Sequence, residues 1–238
     1  MKKLFMLALV AIFAGNAMAL ENVPKTGLTW IGYVGMNASG LSNSGLNGKA
    51  GLNVGFKGEY VLPNAYGTYI NAGVNWSMKG GKKEFFDPSA TAIDGTSVAT
   101  KYTVKYAPSY LEIPIHVGFR YNINTKFGVY GELGPYFAIG VTGKGKYKYD
   151  NDLVKDESFM FFGKNFDFDN MKGIQRFDCG FGFRVGAEYN NQYSLNLGYD
   201  WGFTDMFTDK YRTAYAIGGW SLPKMKNHNL SITFGYRF

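Results

Sequence analysis

The chain has 238 residues, 25 Lys and Arg against 18 Asp and Glu, a formal net charge of +7, one cysteine and 18% aromatic residues. A lone cysteine excludes a disulfide framework, and a modest positive charge with no basic helix and no zinc-ligand spacing gives no reason to expect nucleic acid as a partner. With 32 Gly, 18 Tyr and a slightly negative mean hydropathy, the composition argues against apolar spanning helices. It suits a transmembrane β-barrel, where lipid-facing residues alternate with polar interior ones.

At the N-terminus, Lys2 and Lys3 precede the apolar run Leu4 to Ala14 and then Ala17-Met18-Ala19. This is the layout of a secretory signal peptide, and the run falls short of the roughly 20 apolar residues of a spanning helix. Residues 1–19 are read as the signal and 20–238 as one domain. No Cys follows the cleavage site, so a lipid anchor is not expected.

Eight segments of the mature chain show the period-two alternation of a strand. The first, Leu28 to Ala38, carries apolar side chains on both faces (Trp30, Ile31, Tyr33, Val34, Met36), so its lipid side is open. The second sets Ala50, Leu52, Val54, Phe56 and Tyr60 against Asn53, Lys57 and Glu59. The third sets Ile70, Ala72, Val74 and Trp76 against Asn71, Gly73, Asn75 and Ser77. In the fourth, Leu111, Ile113, Ile115, Val117 and Phe119 oppose Tyr110, Glu112, His116 and Arg120. The fifth puts Phe127, Val129, Leu133, Phe137, Ile139 and Val141 opposite Tyr130, Glu132, Tyr136 and Thr142. The sixth, Phe177 to Tyr189, carries Asp178, Arg184 and Glu188 on its polar side; the seventh, Tyr193 to Trp201, carries Asp200. The eighth alternates from Leu230 to Phe238 with Arg237 on the polar face.

The gaps alternate in length. Turns near 62–66, 122–126 and 190–192 are short, and stretches near 39–49, 79–108, 143–175 and 204–228 are long. Outer-membrane barrels have short periplasmic turns and longer outer loops, so the expected fold is an eight-stranded antiparallel transmembrane β-barrel with both termini in the periplasm. A soluble sandwich or lipocalin-like fold is the alternative. Pro114 and Pro135 interrupt two strands and each removes a ladder donor. Folding the hairpin about Asn124 places Pro114 opposite Gly134 and His116 opposite Glu132, which predicts a paired bulge at that level.

The terminal strand, ending on Phe238, resembles the C-terminal assembly signal of bacterial outer-membrane barrels, and that resemblance implies the barrel assembly machinery as a partner. Tyr110-Leu111-Glu112-Ile113-Pro114-Ile115 resembles the Tyr-Leu-Glu-Ile-Pro strand of PorT-like outer-membrane barrels of Bacteroidota. The second resemblance covers the mature chain in layout and one strand in sequence. It implies an eight-stranded barrel domain in the cell outer membrane and brings no catalytic residues with it.

Lys57, Glu59, Glu112, His116, Arg120, Glu132, Asp178, Arg184, Glu188, Asp200 and Arg237 share the polar faces. An eight-stranded barrel is just wide enough for side chains to fill, so these groups are expected to form a luminal charge network that plugs the interior; a path for protons or a polar solute is the alternative. Lys79, Lys82, Lys83, Lys101, Lys105, Lys144, Lys146 and Lys148 cluster where strands leave the membrane on the outer side, as candidate contacts to lipopolysaccharide phosphates or simply a solvated rim. The third long loop crowds Phe159, Met160, Phe161, Phe162, Phe166 and Phe168, either folded over the barrel mouth or offered to a ligand. Its acids, from Asp150 and Asp152 to Asp156, Glu157, Asp167 and Asp169, lack the Gly and following Glu of a calcium loop.

Only two histidines exist, and neither has the Ser and acid partners of a lipid-modifying hydrolase or the acid pairs of a protease nearby in sequence. The sequence thus reads as a non-enzymatic, monomeric outer-membrane barrel with no metal or other cofactor. Its role is structural or lies in an unidentified extracellular ligand or protein met by the loops. A conduit for a small polar or hydrophobic solute, and a lipid- or peptide-modifying enzyme, are the alternatives.

Overall fold

The computed structural model describes residues 26–160, 162, 175–209, 212, 213, 216 and 223–238. The signal-peptide assignment lies outside them. Ten strands are present: β1 (Gly27–Leu41), β2 (Asn47–Val61), β3 (Thr68–Met78), β4 (Gly81–Thr91), β5 (Ser97–Asn122), β6 (Phe127–Tyr149), β7 (Glu157–Met160), β8 (Phe177–Tyr189), β9 (Tyr193–Gly202) and β10 (Asn227–Arg237). All pairings are antiparallel. Strands β1, β2, β3, β5, β6, β8, β9 and β10 each pair with the next in that order, and β10 returns to pair with β1 through Ile31 and Arg237 to Leu41 and Asn227. The cycle leaves no edge within it, so central backbone groups find partners on the neighbouring strands except beside the two prolines.

Strands β4 and β7 lie in stretches read from the sequence as loops. They pair with the long ends of β5 and β6, which run well past the apolar segments: Lys82 sits opposite Lys105, and Ser158 opposite Lys146. Here the alternation is of lysine with aromatic residues, as in Lys101-Tyr102 and Lys146-Tyr147-Lys148-Tyr149, so a search for an apolar face passes over it.

The apolar faces point away from the ring. Val34, Leu52, Val74, Ile113, Ile115, Val117, Val129, Phe137, Leu195, Leu197, Ile232 and Phe234 are all exposed, while Asn, Ser, Thr and charged residues on alternate positions are buried. A soluble protein would be inverted. In β1 the open question resolves to Leu28, Trp30, Val34 and Met36 outside, with Ile31 inside at 5% exposure.

Interior tyrosines account for four of the strand glycines. Tyr33, Tyr69, Tyr130 and Tyr136 lie directly opposite Gly55, Gly118, Gly186 and Gly180, and a Cβ on any of those glycines would come within 2.2 to 2.6 Å of the facing ring. Each ring covers the bare backbone of its neighbour, as in aromatic rescue of strand glycines.

The short hairpins set the register. Asn190 and Asn191 both take φ near +55°, a left-handed pair that asparagine tolerates, and with Gln192 they form the three-residue loop between the bridged Tyr189 and Tyr193. In the β5–β6 hairpin the Asn124 side chain accepts from the Lys126 and Phe127 amides, both at 2.8 Å, and Ile123 N donates to Phe127 O. The last bridged pair is therefore Asn122 with Gly128. This shifts the expected register by two: Pro114 faces Tyr136 rather than Gly134, and Glu132 faces Gly118 rather than His116. The ladder skips bridges beside the two prolines without any change of register there. The actual bulge lies at Ser109/Tyr110, opposite Thr142 and Gly140.

Candidate functional site

The sequence-assigned interior residues form three layers inside the ring. At the short-hairpin end, Arg120 grips Glu59 in a two-point contact of 2.7 and 2.9 Å and reaches Glu188 at 3.2 Å. Arg237 bridges the same two acids at 2.8 and 3.0 Å and also donates to Thr29 Oγ1. Two arginines and two glutamates thus close on themselves, with Glu59 at 1% exposure.

In the middle layer Lys57 meets both Glu132 oxygens at 3.0 and 2.9 Å, and Asn71 and Tyr69 donate to the same carboxylate. Arg184 pairs with Asp200 at 3.0 Å and donates to His116 Nε2 at 2.9 Å. A guanidinium can only donate, so the ring accepts, with Nε2 the nearer nitrogen; the same Arg184 nitrogen lies 3.3 Å from Nδ1, which also faces Glu132 Oε1 at 3.6 Å. Histidine and glutamate meet diagonally on the adjacent strands β5 and β6, two residues out of register, not directly opposite. A residual cavity of about 20 Å³ beside them has room for about one water, and Asn53, Asn71 and Asn75 each keep an unbonded Oδ1 nearby.

The third layer contains a correction. Lys79, expected on the rim, is 1% exposed and lies inside, 2.7 Å from Glu112 and 3.6 Å from Asp178, with its ammonium over the rings of Tyr136 and Tyr110. β3 ends at Met78, but the inward–outward alternation runs one residue past it and places Lys79 inside with Asn71, Asn75 and Ser77. Arg176, which the sequence reading passed over, is also buried; it donates to Gly140 O and stacks against Phe162. These two cations complete the balance. Among the described residues the interior holds six carboxylates (Glu59, Glu112, Glu132, Asp178, Glu188, Asp200) and six cations (Lys57, Lys79, Arg120, Arg176, Arg184, Arg237). The sequence-assigned set had the six acids and only four of the cations, an imbalance that a sealed interior cannot hold.

Above this layer Phe162 is 1% exposed, edge-on to Tyr110 in a cluster with Leu41, Tyr106, Tyr136 and Ala138. Gly140 makes room for it: a Cβ there would meet the Phe162 ring at 2.4 Å. One phenylalanine of the third long loop therefore closes that end of the interior, while Met160 is exposed. Phe161, Phe166, Phe168, Asp167, Asp169 and the Phe159 side chain lie outside the described residues. Of the acids in this stretch, Asp156 is engaged locally: it accepts from the Tyr149 amide and pairs with Lys146, while the neighbouring Asn151 Oδ1 accepts from the Leu153 amide. The Lys146 hydrogen bond, then the Tyr149 amide, holds the Asp156 carboxyl below its ordinary range.

The remaining predicted rim lysines stand on the four-stranded extension β4–β5–β6–β7. Lys82, Lys101, Lys105, Lys144 and Lys148 are exposed, with Lys146 half-buried. Lys83 takes the opposite face, over the Phe85 ring, among Tyr102, Tyr147 and Tyr149. Phe238 is 73% exposed, its amide donating to Trp30 O and its ring edge-on to Tyr236.

The sequence profile of the outer membrane protein beta-barrel domain matches residues 16–208. The chain belongs to that family. It is accordingly an outer-membrane protein. No curated protein matches it in sequence. Among solved structures it is similar to Ail of Yersinia pestis in complex with the heparin analogue sucrose octasulfate (18% identity, 90% of this chain and 100% of that one, TM-score 0.34). It is also similar to Neisserial surface protein A (10%, 90% and 98%, 0.39) and to OprG of Pseudomonas aeruginosa (13%, 91% and 98%, 0.39).

Proposed function

We propose that this chain is a non-enzymatic, eight-stranded transmembrane barrel, sealed by its own side chains, whose role beyond the envelope is carried by the long-loop end facing outward. The observation that carries the reading is the interior of six carboxylates and six cations, tied into layers and closed above by Phe162. Charges held this way are costly to move, and the filled cross-section leaves no open path. The Tyr110–Ile115 strand supports placement among PorT-like members. The terminal strand, which closes the ring against β1, supports Phe238 as the residue read by the barrel assembly machinery; Phe238→Ser should then reduce assembled protein while leaving export intact.

The His116 ring is wedged between Arg184 and Glu132, an arrangement that orients a histidine for packing rather than for attack on a substrate. A second reading, passage of water or protons along the polar seam, is favoured by the residual cavity and the unbonded asparagine oxygens. Planar-bilayer recording decides between the two. The sealed barrel gives no steady conductance, and Ala replacements at Glu59, Arg120, Glu188 and Arg237 together raise it. A large, steady conductance from the unmodified protein would replace this reading with the conduit.

A further inference from the structure

Like charges placed directly across a ladder repel, which usually keeps them apart. Here three stand side by side: Lys82 is opposite Lys105 and Lys105 is opposite Lys146. The same row continues to Asn47 on β2 and to Ser158 on β7. Five adjacent strands therefore present Asn47, Lys82, Lys105, Lys146 and Ser158 in one line, at the roughly 4.8 Å spacing of neighbouring strands. Each side chain in it is a hydrogen-bond donor. Lys144 and Lys148 flank the row two residues away along β6, on the same face.

A single structural device aims this row. Along β6 the exposed positions are 135, 137, 139 and 141, then 142, 144 and 148; the extra residue opposite Ser109/Tyr110 reverses the phase. Without that bulge, Lys144, Lys146 and Lys148 would point to the face where Tyr147 and Tyr149 now lie with Tyr102. With it they continue the membrane-facing side that carries Ile139 and Val141. Among the described residues, only Glu84, which pairs with Lys101, and Asp156, which pairs with Lys146, oppose them in ion pairs; the first pair is more than half exposed to water and the second more than a third. Such pairs are weak.

Height selects the ligand. Lys146 lies five residues beyond Val141, roughly 17 Å along a strand and roughly 12 Å vertically at the usual tilt of about 45°. The headgroup zone of a phospholipid extends only about 5 to 8 Å beyond the hydrocarbon. We propose that this row binds the phosphate groups of a phosphorylated glycolipid of the outer leaflet, a lipopolysaccharide whose charged saccharide stands above the phospholipid headgroups. Lys144 meets its lower phosphates, and Lys82, Lys105 and Lys146 the upper ones. The inference rests on the outward orientation proposed above.

The test uses the full-length mature protein folded in neutral detergent and titrated with fluorescent lipopolysaccharide, beside the Lys82→Gln/Lys105→Gln/Lys146→Gln triple variant. Lysines near an anionic surface each contribute about fivefold, so the triple variant should bind roughly a hundredfold more weakly. Phosphatidylglycerol at matched charge and inorganic phosphate should compete poorly. In zwitterionic phosphatidylcholine bilayers the triple variant should unfold at the same or a higher urea concentration than the parent, because repulsion is relieved. Adding lipopolysaccharide to those bilayers should reverse the order. Unchanged binding by the triple variant, equal competition by phosphatidylglycerol, or no reversal overturns the proposal. A protein that fails to fold into bilayers at all counts against the barrel reading instead.

Discussion

Lys79 and Lys82 are three residues apart and belong to opposite electrostatic regions. Lys79 is enclosed by Glu112, Asp178, Tyr110 and Tyr136; Lys82 stands in the open beside Lys105. Inside the ring an unmatched charge has no water to turn to, so the sequence supplies a carboxylate for every cation. On the outer sheet, water and salt screen the lysines, so a row of like charges is tolerated and can be spent on a ligand. Ion pairs in the first region are buried and required; in the second they are few and stand in water.

That contrast can be broken at three points. The largest effect is expected from Glu59→Gln, which leaves Arg120 and Arg237 sharing Glu188 alone; removing one partner of a buried network costs about 3 to 5 kcal/mol. A urea titration of the folded barrel reads it, and a loss under about 1 kcal/mol would mean that water reaches this layer freely.

Adjacent residues of β5 give the next test, since Ile115 faces lipid at 42% exposure and His116 faces inward at 2%. Ile115→Arg should destabilise by roughly 2 to 4 kcal/mol near the midplane, with His116→Gln well below that because Gln can still accept from Arg184. Equal losses on the same titration would erase the distinction between the faces.

The smallest effect has the opposite sign. Lys105→Gln removes the central charge of the outer row and should stabilise the protein in phosphatidylcholine by roughly 0.2 to 1 kcal/mol, read from the shift of the urea midpoint. A clear destabilisation there would show that the lysines already have partners in the protein.

Alternation made most of the ring readable, because one face of each strand had to be apolar. Legibility ended where that requirement ended. Beyond the membrane, the distal parts of β5 and β6 set lysine beside tyrosine and β4 reads Lys82-Lys83-Glu84-Phe85-Phe86, and no apolar face announced them. The register of the β5–β6 hairpin turned on one side chain, since Asn124 closes a wider turn than its position suggested. Lys79 lies past the end of β3, where a lysine beside two glycines reads as loop, yet the alternation persists for that one residue and turns it inward. The shortage of cations among the interior residues was nonetheless visible in the sequence: charge balance alone called for two more, and Lys79 and Arg176 are those two. The β6 bulge was not readable, because it depends on pairing with Ser109 and Tyr110 rather than on the residues around Val141.

The division between a buried, paired interior and a water-exposed outer row is tested most directly by amine labelling of the folded protein, with each lysine followed by mass spectrometry. Lys82, Lys105, Lys144 and Lys148 should label promptly, while Lys57 and Lys79 stay protected until the barrel is unfolded. Labelling of Lys79 in the folded protein at the rate of Lys82 would contradict the account.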